Sequence, residues 1–70
     1  MNKEQIGHII KKRRDFLSLK QEDLSEMTGI TSKTIYLIEN CKGNPSIDTL
    51  QKLMEVLGLE IVIDIKKMGE

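Results

Sequence analysis

Four side chains in the stretch Ser32–Leu37 have the chemistry to read the edges of nucleic-acid bases. If the stretch is helical, with Ile35 and Ile38 turned inward, then Ser32, Lys33, Tyr36 and Leu37 stay outside. Lys33 can donate to guanine O6 and N7, Ser32 can donate or accept, and Leu37 can touch a thymine methyl. The plain alternative for Lys33 is an ordinary solvated lysine. Other reactive residue types form no set. His8 has no Cys, Asp or Glu arranged to complete a metal or catalytic group, and Cys41 has no nearby His to activate it. Gly43-Asn44-Pro45 is a turn, without the Gly-Lys-Ser/Thr that completes a phosphate loop. The chain is therefore read as a non-enzyme with no cofactor and no metal.

Composition limits what can hold these residues in place. Seventy residues make one small domain, and a chain of that size buries only roughly 60% of its unfolded surface. Domains this small usually gain stability from disulfides, a metal or a partner subunit. Cys41 is the only cysteine, which rules out an intrachain disulfide and suggests a reducing, cytoplasmic setting. A structural zinc wants four ligands, and one Cys with one His falls short. A partner subunit remains. No apolar run approaches the ~20 residues of a membrane span, and the first five residues lack a signal-peptide core. Net charge is zero, but residues 1–20 carry six Lys/Arg against two acids. Overall charge gives no argument for nucleic acid, so any such argument must be local.

The elements follow from caps and periodicity. Asn2 and Gln5 form a capping pair for a first helix over about residues 3–17. Its apolar positions are Ile6, Ile9, Ile10, Phe16 and Leu17, and the run from Lys11 to Arg14 mostly faces out. A short second helix spans about 21–28, with Leu24 and Met27 inward and Gly29 as its stop. Thr31 or Ser32 caps a third helix over about 32–41, buried through Ile35 and Ile38, with Ile30 anchoring the turn. Lys42–Pro45 is a loop. Ser46 caps a fourth helix with an apolar face of Ile47, Leu50, Leu53, Met54 and Leu57, ended by Gly58. Residues 60–66 then alternate strictly, with Ile61, Ile63 and Ile65 on one face and Val62 among the polar residues on the other. They predict a strand. With no second strand in the chain, the plain alternatives are a frayed tail or a strand lying against its own helices; the expected mate is the same segment of a second copy, paired antiparallel across a two-fold axis. Residues 67–70 are a tail.

Two short helices around a tight glycine turn describe a helix-turn-helix within a mainly α, four-helix DNA-binding domain over residues 1–59. The detailed residues are more specific. Ile6-Gly7, Arg13-Arg14, Leu19 to Leu24, Gly29-Ile30-Thr31, Thr34 to Asn40, Gly43 to Ser46 and Leu57-Gly58 together resemble the lambda-repressor-like (Xre/Cro) family. The short length and the strand after the fourth helix look like HipB-type antitoxins, dimeric repressors of their own operon that bind a HipA-type kinase toxin. The resemblance implies that the third helix lies in the major groove. It further implies phosphate contacts from Gln21 at the start of the second helix, with Thr34, Asn40 and Lys42 as further candidates and Lys20 at the rim. Arg14 and Glu39 match a buried arginine–glutamate bridge of these repressors; periodicity alone leaves both free to be surface residues. The chain departs from the family pattern at Lys20, where a Ser or Thr cap is usual, at Ser25, where Ala is usual, and at Cys41, where Gly is favoured.

The expected function is a sequence-specific DNA-binding repressor, a homodimer on a palindromic operator and the antitoxin of a HipA-type module, with no membrane partner. A stand-alone Xre-family regulator and a restriction-modification controller are the alternatives within DNA binding. A protein-interaction module with little DNA affinity is the alternative outside it.

Overall fold

Each helix begins where a side chain can replace a missing backbone partner. The computed structural model describes residues 1–67 and contains α1 (Lys3–Phe16), α2 (Gln21–Thr28), α3 (Ser32–Glu39) and α4 (Ile47–Leu57). At α1 the Gln5 N–H donates to Asn2 Oδ1 and the Asn2 N–H to Gln5 Oε1, both at 2.9 Å. Thr31 Oγ1 accepts from the Thr34 N–H at 3.2 Å, and Ser46 Oγ from the Thr49 N–H at 3.1 Å. The start of α2 is only half capped. A lysine ammonium has no lone pair to offer, so Lys20 contributes just its own N–H, which donates to Asp23 Oδ2 at 2.8 Å.

Three helices close with the same C-terminal hydrogen-bond pair. After α1, Leu19 N–H reaches the Arg14 carbonyl and Ser18 N–H reaches Asp15; after α3, Lys42 reaches Leu37 and Cys41 reaches Ile38; after α4, Leu59 reaches Met54 and Gly58 reaches Glu55. This motif needs one left-handed residue, normally glycine. Gly58 supplies it at φ 73°, but Ser18 (58°) and Cys41 (63°) adopt it with a Cβ. The left-handed Cys41 is also why α3 stops at Glu39, two residues short of the range that its sequence suggests.

The core is built from Ile10, Leu24, Ile35, Ile38, Leu50, Leu53, Met54 and Leu57, so every helix contributes. Ile6, Leu19, Ile30, Val56 and Leu59 pack around it. Several expected core residues lie outside. Phe16 is 75% exposed, Ile47 68% and Met27 56%; Ile9 and Leu17 are at the surface margin. On α1 the reason is that the buried positions are Gly7, Ile10 and Arg14. Two of these three are not apolar side chains, and reading the apolar residues alone rotates the inward stripe toward Ile9 and Phe16. Gly7 is there because α1 crosses α3 closely: a Cβ on it would collide with the Ile38 carbonyl oxygen.

The strand expected over Glu60–Lys66 is not formed, and there is no β-strand among the described residues. No backbone–backbone hydrogen bond reaches Glu60–Lys67 among those residues, since the chain offers no second extended segment beside it. Only the start of the isoleucine face approaches the helices: Ile61 is 44% exposed and lines a groove with Ile6, Ile9 and Met54, whereas Ile63 is 92% and Ile65 90% exposed, with Val62 also outside. The longest dimension of 44 Å is about twice the ~21 Å of a 14-residue helix, consistent with a projecting tail. Of the tail over 67–70, residues 68–70 lie outside the described residues.

Cys41→Gly removes the left-handed penalty at the end of α3 while adding some unfolded-state entropy. The net gain in stability is expected to be roughly 0.5–1 kcal/mol, measured by urea denaturation. A loss would mean that the Cys41 side chain contributes packing of its own.

Candidate nucleic-acid interface

Gly29, at φ 78°, ends α2 and turns the chain toward α3. The Thr28 hydroxyl donates to the Leu24 carbonyl at 2.7 Å and accepts the Ile30 N–H at 3.2 Å, fixing the corner. Leu24 on α2 and Ile35 and Ile38 on α3 are buried in one cluster that locks the two helices together.

The far end of α3 is held by charge. Arg14 Nε and Nη2 donate to Glu39 Oε2 and Oε1 at 2.7 and 2.8 Å, and Nη1 donates to the Leu19 carbonyl at 2.8 Å. The Glu39 side chain is 1% exposed. Gln21 Nε2 adds a third donor to the carboxylate, at 3.1 Å. The Arg14–Glu39 pair thereby ties α1, the α1–α2 loop, the first residue of α2 and the last of α3. The Glu39 hydrogen bond and charge raise the Arg14 pKa above its ordinary value against the opposing effect of burial, with Asp15 adding to the rise.

With its inner face and C-terminal end fixed, α3 presents its outer face to solvent. Ser32, Lys33 and Tyr36 are exposed. Leu37 is half-buried and lines a hollow with Thr34, Lys42 and Pro45, which leaves it the least free of the four to extend outward. Thr34 is half-buried too, its hydroxyl accepting from Thr31 Oγ1 at 2.9 Å. Asn40 is exposed and spends one amide N–H on the Tyr36 carbonyl at 2.8 Å. Lys20 and Lys42 are exposed. Gln21 is directed at Glu39 through one amide hydrogen, leaving the other hydrogen and the carbonyl oxygen for further partners. Gln21, Arg14 and Glu39 thus form one cluster, and Thr34, Leu37 and Lys42 a second. His8 and Cys41 are exposed, and no group of three or more His, Cys, Asp or Glu among the described residues is placed to hold a metal.

Sequence reasoning placed Arg13 on a solvated face with Lys11 and Lys12, and that reading fails for Arg13. Its Nε donates to the Leu57 carbonyl at 2.7 Å, at the negative end of α4, and its guanidinium lies 5.2 Å from the Phe16 ring centre. A bond between residues 44 positions apart leaves no local trace in the sequence.

Two short helices locked at a glycine corner, the second offering Ser32, Lys33 and Tyr36 on its outer face, define a helix-turn-helix unit. The chain belongs to the helix-turn-helix family, whose model matches residues 10–63. It is 35% identical over 62 residues to an uncharacterized HTH-type transcriptional regulator of Methanothermobacter thermautotrophicus, covering 89% of this chain and 90% of that one. It is 38% identical over 55 residues to the HTH-type transcriptional regulator PuuR of Escherichia coli, covering 79% of this chain but 30% of PuuR. A putative HTH-type transcriptional regulatory protein of Methanocaldococcus jannaschii is 32% identical over 56 residues, with 18% of its length matched.

Glu39→Ala leaves the buried Arg14 with only the exposed Asp15 carboxylate, 3.5 Å away, as a counter-ion and is expected to cost roughly 3–5 kcal/mol. Replacing both partners together, Arg14→Met with Glu39→Leu, is expected to cost less than Glu39→Ala alone, because no charge is then stranded. Chemical denaturation of the two variants checks this order. A Glu39→Ala variant as stable as the parent would remove the bridge from any structural role.

Proposed function

We propose that this chain is a sequence-specific DNA-binding transcriptional repressor that acts as a homodimer on a palindromic operator. The observation that carries the reading is the asymmetry of α3. One face is buried through Ile35, Ile38 and the clamped carboxylate of Glu39, and the other holds Ser32, Lys33 and Tyr36 in solvent. A helix built to enter the major groove needs that arrangement, since reading base edges requires polar side chains on a support that does not yield. Ser32, Lys33 and Tyr36 are the base-reading residues in this proposal, with Leu37 in a lesser part. Lys20, Gln21, Thr34, Asn40 and Lys42 serve the phosphates, and Gln21 also steadies α3 through Glu39. The similarity to HTH-type transcriptional regulators supports the same reading.

Within it, the narrower assignment is an autoregulating antitoxin whose partner is a HipA-type kinase toxin. It rests on the isoleucine-rich segment that follows α4. Co-expression with the product of the adjacent gene tests it, and a neighbour that is not kinase-like would leave the chain a stand-alone regulator.

One recognition helix reads only a few base pairs, so a dimer with its helices about 34–36 Å apart is required for an operator. Deleting residues 60–70 is therefore expected to give a less stable monomer that keeps helical content and loses most operator affinity. Sedimentation and gel-shift titration measure both, and a truncated chain that still binds its palindrome as a dimer would place the interface elsewhere.

On an operator selected from random DNA, Lys33→Ala is expected to relax preference at one or two base pairs and cost roughly 1–3 kcal/mol there. Gln21→Ala should weaken all sequences about equally. Binding of the parent chain should fall steeply with salt. Affinity that is indifferent to salt would point instead to a protein-interaction module.

A further inference from the structure

Away from the outer face of α3, one apolar hollow is walled by three segments of the chain. α1 supplies Ile9, α4 supplies Ile47 and Met54, and the segment that follows α4 supplies Ile61 and Ile63. The volume between them is about 350 Å³. Ile9, Ile47, Ile61 and Ile63 are exposed, so the walls hold apolar surface that an occupant would take out of water.

Size and lining restrict that occupant. Ligand pockets span ~300–1,000 Å³ and are mainly apolar with a few placed polar groups, and this one lies at the small end of that range. A helix of a partner protein is too large, since a single turn, ~10 Å across and ~5.4 Å long, already exceeds the space. The side chains around the hollow are hydrocarbon or thioether with one exception, the carboxylate of Glu60 next to Ile61. Glu60 is exposed and has no salt-bridge partner among the described residues. A free carboxylate at the edge of an apolar hollow attracts a cation and repels an anion.

We propose that this hollow binds a small amphipathic ammonium compound, with its alkyl or aryl body between Ile9, Met54 and Ile61 and its cation against Glu60. The flexible thioether of Met54 adapts to bodies of different outline, so charge and bulk set the class rather than one skeleton. Because one wall belongs to the segment after α4, an occupant also holds Ile61 and Ile63 against the helices. The hollow shares no residue with the outer face of α3, and the proposal stands independently of what that face reads.

Octylammonium and octanoate carry the same chain with opposite ends, which separates charge from bulk. Each is titrated below its micelle concentration into the full chain, with amide and methyl NMR shifts as the readout. Octylammonium should saturate and move the resonances of Ile9, Met54, Ile61 and Ile63, and octanoate should bind roughly tenfold more weakly. The gap should narrow at high salt, which screens an exposed charge pair. Glu60→Gln should bring the two affinities together with the helical spectrum unchanged. Ile9→Trp, which fills the hollow from an exposed position, should weaken both compounds, as should Ile47→Ser on the facing wall. Equal affinities in the parent chain, or a gap that survives Glu60→Gln, would overturn the cation assignment. Titrations that never saturate, or shifts confined to the acidic surface of α2 around Glu22 and Glu26, would overturn the site itself.

Discussion

A guanidinium taken out of water must recover its hydrogen bonds from the protein, and Arg14 recovers three, two from Glu39 and one from the Leu19 carbonyl. Removing both charges from water costs several kcal/mol per ion, and only close geometry with every polar atom satisfied offsets that. Here the condition is met: no buried side-chain nitrogen or oxygen among the described residues lacks a partner. Because the bonds are short, bidentate and shared with Gln21, they specify position as well as charge. The raised Arg14 pKa has a simple consequence for pH. A cation whose pKa is higher folded than unfolded contributes fully below its unfolded value and loses that contribution only as pH climbs past the folded one. Both lie beyond the range in which proteins are handled, so Arg14 itself stays charged throughout that range.

The rest of the helical body serves that clamp. An eight-residue helix is far too short to persist by itself in water, and α2 and α3 are both that length. They exist because Leu24, Ile35 and Ile38 bury against Ile10 and the α4 face, and because α1 comes close enough to α3 for Gly7 to lie against its backbone. Arg13 adds a second tie between α1 and α4 at the Leu57 carbonyl. The outcome is one eight-residue helix held at the corner before it and at Glu39 behind it, with Ser32, Lys33 and Tyr36 left on its outer face.

Stability and assembly are linked in such a body. A seventy-residue chain has little apolar core to spare, and this one leaves an apolar groove and a row of isoleucines outside it. Anything that binds only the folded chain adds to its stability by mass action. Any partner that covers these surfaces on the folded chain would therefore raise the stability of the fold as it binds.

The features legible in the sequence are those decided within a few residues. Asn2 with Gln5, Thr31 and Ser46 mark helix starts, Gly29 and Gly58 mark ends, and most of the α4 stripe is plain from its period. The outward set Ser32, Lys33 and Tyr36 follows by subtracting Ile35 and Ile38, a purely helical argument. What lies across the fold could not be read that way. The inward stripe of α1 passes through a glycine and an arginine, so counting apolar residues sends Phe16 to the core when it belongs at the surface under Arg13. Leu37 is half-covered by a loop that follows it, and the Gln21 amide is drawn to Glu39 from 18 residues away. The alternation over Glu60–Lys66 states a capacity to pair, but a strand exists only with a neighbour to bond. Local sequence sets what each segment can do, and tertiary contact decides which of those options has a partner.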